Sequence, residues 1–175
     1  MVLLLKNLLF TVLVPGMVAV YVPLRWLVAP GSLVWPGWNP RSVLAALCLT
    51  AGAAVYFTCL WEFGVRGRGT PAPIDAPKRL VVDGLYRYVR NPMYIGVLLV
   101  VVGWAVLFGS AALVWYPVWV APFFHLFVVL VEEPILAHTF GAEYARYRAA
   151  VRRWIPGRPY PGPDPEQLDP GHRGG

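Results

Sequence analysis

The sequence predicts an all-α integral membrane protein with about four transmembrane helices, the last two a tight hairpin, followed by an interfacial amphipathic helix. Three observations carry this. Of 175 residues, 58% are hydrophobic and only 14% charged, with a mean hydropathy of +0.56, whereas a water-soluble domain carries about 25% charge. The uncharged residues fall into runs long enough to cross a hydrocarbon core. The cations lie between and after those runs. An ordinary soluble globule and a disordered chain are excluded. So is a large transporter with two repeated halves, because each crossing takes about 20 residues.

The first run, Asn7 to Leu24, holds 18 uncharged residues between Lys6 and Arg25. It has the layout of a secretory signal, but its length, Pro15, Pro23 and the Arg25 that stands in place of a small-residue cleavage site favour an anchor. The second run, Ser42 to Trp61, holds 20 uncharged residues. The third extends from Met93 to Val131, 39 residues without Asp, Glu, Lys or Arg. At 1.5 Å per residue that is roughly 58 Å of helix, twice a core of about 30 Å. Phe108-Gly109-Ser110 is the natural break, giving helices over about 92–107 and 111–131.

Thirteen of the 15 cations fall at the amino terminus, in 64–92 or after Glu133; Arg25 and Arg41 alone flank the loop between the first two runs. Short cationic loops stay in the cytoplasm. An even number of spans therefore places both termini and the 64–92 loop on the cytoplasmic side of the cytoplasmic membrane. Cys48 and Cys59 stand eleven residues apart in one run, about 16 Å along a helix, too far for a disulfide that needs Cα atoms within about 7 Å. They read as packing residues. His125, His138 and His172 show no metal-ligand spacing.

The organisation reads as a membrane hairpin over 1–63, a region over 64–156 made of a cytoplasmic loop, a second membrane hairpin and an interfacial helix, and a disordered Pro- and Gly-rich tail over 157–175. In the 64–92 loop, Leu85-Tyr86-Arg87-Tyr88-Val89-Arg90 alternates aromatic with cationic residues, which suits the headgroup level. Asn91-Pro92 then starts the third helix, since Asn is a favoured cap and Pro a favoured first residue. The positive dipole end of that helix can receive an anionic group. Glu132 and Glu133 follow the apolar run directly, and acids at a membrane boundary are functional candidates. A tight hairpin returns them to Asn91 and Tyr94, forming a cradle for a zwitterionic ligand. Beyond Pro134, Phe140, Tyr144, Tyr147 and Val151 share one helix face, with Arg146, Arg148, Arg152 and Arg153 on the others. This reads as a helix lying on an anionic leaflet.

With those residues in hand, the stretches LVVDGLYRYVRNPMYIG and EEPILAHTFGAEYARYRAAVRRWIP resemble the two signature blocks of the isoprenylcysteine carboxyl methyltransferase and phospholipid methyltransferase superfamily. The resemblance spans residues 69–156. It implies an S-adenosyl-L-methionine-dependent enzyme, with Tyr86, Asn91, Pro92, Met93, Tyr94, Glu132 and Glu133 holding the cofactor. It further implies catalytic roles for Arg90 and Asn91, and an acceptor held by Arg90, Tyr144 and Arg152. Asn91 stands where the eukaryotic enzymes have His, so it serves by hydrogen bonding rather than as a base.

The expected reaction is methyl transfer to a lipophilic acceptor, a prenylcysteine-like carboxylate or a phospholipid amine, at the cytoplasmic leaflet. Such an in-line displacement needs orientation from the protein and neither a metal nor a covalent nucleophile. Two alternatives stay open. One is a membrane reductase using a nicotinamide cofactor, disfavoured because no G-x-G-x-x-G fingerprint occurs. The other is a non-catalytic membrane binding protein, which Asn91 keeps in play. Expected partners are the lipophilic acceptor and membrane lipids, with no nucleic acid and no oligomeric state legible.

Overall fold

Apolar segments wind into helices whose ends alternate between two poles, and this alternation assembles the site. The computed structural model describes residues 9, 11–28, 33–67 and 79–162. Its main helices are α1 (Val12–Leu27), α2 (Pro40–Glu62), α3 (Pro92–Phe108), α4 (Ala111–Phe127) and α5 (Glu133–Ala150), with one 3-10 turn at Gly84–Arg87. No strand occurs among the described residues. Two helical stretches are long and apolar enough to cross a membrane, Pro40–Val65 and Ala111–Ala150; α1 and α3 are apolar but shorter.

Local chemistry fixes the first pole. Asn39 accepts from the Ser42 amide at 3.0 Å while the Ser42 hydroxyl accepts from the Asn39 amide at 2.9 Å, a reciprocal cap that starts α2 with Pro40 in its first turn. Gly109, at φ 62°, ends α3 in the left-handed region that favours glycine. The Ser110 hydroxyl then caps α4 through the Leu113 amide at 3.2 Å and donates to the Leu27 carbonyl at 3.0 Å. Arg41 donates to the Val106 carbonyl. The end of α1, the start of α2 and the α3–α4 turn thus meet, and the expected break at Phe108-Gly109-Ser110 is where the chain turns.

Between the poles, α2 and α3 approach through glycine. A Cβ on Gly52 would stand 2.6 Å from the Gly96 carbonyl oxygen, and one on Gly96 would stand 2.8 Å from the Gly52 oxygen. Small residues allow this approach where no water competes. Helix α1 is wound largely with i→i+5 hydrogen bonds and contains Pro15 and Pro23. Pro23 has no N–H to offer the carbonyls four and five residues behind it. Those carbonyls, on Ala19 and Val18, accept instead from Trp104 Nε1 at 2.8 Å and the Tyr116 hydroxyl at 3.0 Å. Pro23 thereby ties α1 to α3 and α4.

Three sequence expectations are corrected at the second pole. A separate surface helix was expected from Pro134; instead α4 runs on past Pro134 through a π-type turn, Val128–Glu132, and the break comes inside α5, at Gly141 (φ 49°, ψ −121°). The Glu133 amide reaches back five residues to Val128, and this wider turn accommodates Pro134 without a break. The face bearing Tyr144, Tyr147 and Val151 was expected at the membrane surface; it is buried with Tyr160 against Leu80 and Val82 of the preceding loop. The tail was expected to be disordered over 157–175, of which 163–175 lie outside the described residues. Instead Gly157 N donates to Tyr88 O and Tyr160 N to Arg87 O, each at 2.9 Å, and Tyr160 is buried. The expected starts of the first span at 7 and of the resemblance at 69, together with Arg68, Lys78 and Arg173, lie outside the described residues.

Candidate functional site

Helix α3 begins at Pro92, as the Asn91-Pro92 pair predicts, but the Asn91 side chain does not cap it. Its amide donates to the Arg153 carbonyl at 3.1 Å, and Asn91 is buried. A nearby acceptor on the returning chain wins over the local cap. In the first turn of α3, the Tyr94 hydroxyl donates to Glu132 Oε2 at 2.8 Å. The Tyr94 ring meets Phe124 edge-on at 4.9 Å and Trp154 at 6.3 Å. Trp154 is itself held, its indole N–H donating to His125 Nδ1 at 3.0 Å.

The two acids are not equivalent. Glu133 is buried and receives Arg90 Nη1 at 3.0 Å, Arg153 Nε at 2.7 Å and Arg153 Nη2 at 3.1 Å. Burial alone would disfavour its charge, but the Arg153 hydrogen bonds and the field of Arg90, Arg153 and Arg148 hold its carboxyl below the ordinary value. The same hydrogen bonds raise Arg153. Glu132, by contrast, makes no ion pair among the described residues. Glu133 closes a clamp; burial pushes the Glu132 carboxyl up to about 7, with the Tyr94 hydrogen bond opposing that rise.

Arg90 reaches past Glu133 toward the Tyr144 hydroxyl at 3.4 Å, and its Nε is buried with no hydrogen-bond partner. Burial raises the Tyr144 hydroxyl above the ordinary phenol value and does the same to Tyr147. The Tyr147 hydroxyl donates to the Tyr86 carbonyl at 2.7 Å. Tyr86 is buried with its ring edge-on to Phe63 at 5.5 Å. Pro92 and Met93 are buried at the same helix start. Arg152 takes part only through its backbone, whose carbonyl accepts from the Arg90 amide at 2.9 Å; its side chain is exposed.

An apolar cavity of about 250 Å³ opens beneath this layer, between Tyr86, Met93, Tyr94, Phe63 and Phe124. The pole therefore offers a carboxylate, a helix start and an apolar chamber side by side.

Against known families, residues 40–143 match the model of the phospholipid methyltransferase family. The chain belongs to the phospholipid methyltransferase family. No curated protein and no solved structure matches it. Phospholipid methyltransferase membership indicates a membrane methyltransferase acting on lipid, of a kind that generally uses S-adenosylmethionine. The family segment contains α2, the 3-10 turn, α3, α4 and the Glu132-Glu133 pair; α1 and the chain beyond 143 lie outside it.

Sequence reasoning missed four residues of this phospholipid methyltransferase. Arg153 was one of four equivalent arginines, and only the extended backbone at Val151 (φ −111°, ψ 130°) turns the chain back to Glu133. Trp154 and His125 meet across 29 residues and carry no local signal. Glu62, buried at the end of α2, stands directly after the second uncharged run and was not singled out. Its signal was available, because it follows an apolar run just as Glu132 does.

Proposed function

We propose that this protein is a four-span methyltransferase that takes its methyl group from S-adenosylmethionine and delivers it to a lipophilic acceptor at the cytoplasmic leaflet. The observation that carries the reading is the Tyr94–Glu132 pair: a carboxylate oriented by one hydroxyl at 2.8 Å and matched by no described cation. That donor set fits a ligand bearing a sulfonium and an ammonium. Its environment fits as well, since the guanidinium groups of Arg90 and Arg153 are already turned to Glu133.

Glu132 and Tyr94 would hold the cationic groups, and the start of α3 at Pro92 would face the carboxylate. The bound cofactor supplies an electrophilic methyl group. The protein's part is orientation. Tyr94 fixes the Glu132 carboxylate, Trp154 covers the Tyr94 ring, and Glu133 holds Arg90 beside Tyr144. Arg90 and Tyr144 would face the acceptor head, with the apolar chamber beneath Tyr94 taking part of its tail.

Membrane placement is supported by what stays exposed. Trp26, Trp38, Trp61 and Trp119 are each more than two-thirds exposed, a surface that suits lipid and its interfaces rather than water. The positive-inside rule puts the Glu132 pole in the cytoplasm, with the 64–156 segment as the cofactor-binding region. The test is titration of purified protein with S-adenosylmethionine and, separately, with reduced nicotinamide cofactor. Saturable binding of the first, lost in Glu132→Gln, supports the reading; binding of the second alone overturns it.

A further inference from the structure

A second apolar cavity, of about 270 Å³, adjoins the chamber beneath Tyr94 and shares Pro15, Tyr56 and Val97 with it. It extends along α3 as far as Trp104. From Tyr94 to Trp104 is ten residues of helix, roughly 15 Å. Its polar wall groups are already engaged: the Tyr56 hydroxyl donates to Thr11 Oγ1 at 2.9 Å, and Trp104 Nε1 to the Ala19 carbonyl. A cavity without polar partners for water stays dry and accepts apolar matter. One wall of both cavities is α1, which lies outside the family segment.

We propose that the two cavities form one crevice for a single hydrocarbon chain of the acceptor, and that α1, at Pro15 and Val20, sets the length of chain admitted. This rests on the lipid-acceptor reading above, and it deepens that reading by placing the chain inside the helix bundle rather than in the surrounding bilayer. The reactive head stays at the Tyr94–Glu132 level, and the chain runs along α3 past Val97 toward Trp104. Selectivity for chain length then belongs to this protein's own α1.

The test uses a lysophosphatidylethanolamine carrying a diazirine near the end of a C12 chain, with the protein in phosphatidylcholine nanodiscs. Illumination is followed by mapping of the labelled residues. Label at Val100 and Trp104 is expected, referred to label at the exposed Trp119, and it should saturate with unlabelled probe. Ala53→Phe and Val20→Trp fill the inner cavity from α2 and from α1, and each should lower that ratio at least tenfold. Ala54→Phe, on the exposed side of α2, should leave it unchanged. Label that does not saturate, or that ignores both filling variants, overturns the proposal. The labelling needs neither cofactor nor turnover. A failure of methyl transfer would therefore count against the function and not against the crevice.

Discussion

The Tyr94 hydroxyl donates to Glu132 Oε2 at 2.8 Å, joining the first turn of α3 to the last residue before α5. That one bond positions a carboxylate that no described cation neutralises. Removing the hydroxyl in Tyr94→Phe keeps the ring against Phe124 and Trp154 but frees the acid. A hydrogen bond to a charged group contributes about 1.5 to 3 kcal/mol, so S-adenosylmethionine binding should weaken roughly tenfold or more. Calorimetric titration of the variant measures this, and a small change in thermal midpoint should accompany it.

Glu133 should behave differently, as a structural clamp. Glu133→Gln removes the charge that Arg90 and Arg153 share, and this should cost about 3 kcal/mol, the low end for a buried pair because Arg153 is 30% exposed. The sign of its pH dependence follows from its lowered carboxyl. The clamp contributes fully above the ordinary glutamate value of about 4.3, and its contribution is lost as pH falls through the lower folded-state value. Denaturation of wild type and Glu133→Gln from pH 7 to pH 3 should give curves that converge at the acid end. A gap that widens there would contradict the assignment.

Glycine replacements test the packing. A Cβ on Gly84, whose φ is +54°, would stand 2.7 Å from Glu62 Oε1. Gly84→Ala combines backbone strain with a clash and should cost about 1 to 3 kcal/mol. Gly52→Ala meets the α3 backbone itself, 2.6 Å from the Gly96 oxygen, which cannot rotate away. It should lower the thermal midpoint more than Gly84→Ala, where a flexible side chain gives way. Scanning calorimetry in detergent compares the two.

Topology is tested at the opposite pole. Ala111 is exposed at the start of α4, beside the turn that the proposed four-span reading puts outside the cytoplasm. In a background with Cys48 and Cys59 replaced, Ala111→Cys should react with an impermeant thiol reagent added to intact cells. Protection until the cells are opened would reverse the orientation.

What the sequence disclosed was local or periodic. Phe108-Gly109-Ser110 announced a turn because Gly109 needs a positive φ and Ser110 a cap, both within three residues. Pro92 announced a helix start for the same reason. What it hid depends on partners far along the chain. Nothing local tells Asn91 to spend its amide on the Arg153 carbonyl, 62 residues on, or separates Arg153 from Arg152. The Tyr face of α5 was visible as a stripe, but a stripe does not say whether protein or membrane covers it. Here the loop at Leu80 and Val82 covers it. Pro134 suggested a break that the π-type turn at Val128–Glu132 absorbs.

The central claim is that Glu132 and Tyr94 hold the methyl donor for transfer to lipid. It is tested most directly by incubating proteoliposomes of defined lipid with S-adenosylmethionine carrying a labelled methyl group and measuring label in the extracted lipid. Wild-type protein should label lipid, and Glu132→Gln should lose nearly all of that activity while remaining folded. Full activity in Glu132→Gln would contradict the account, as would no labelled lipid from folded wild-type protein shown to bind the donor.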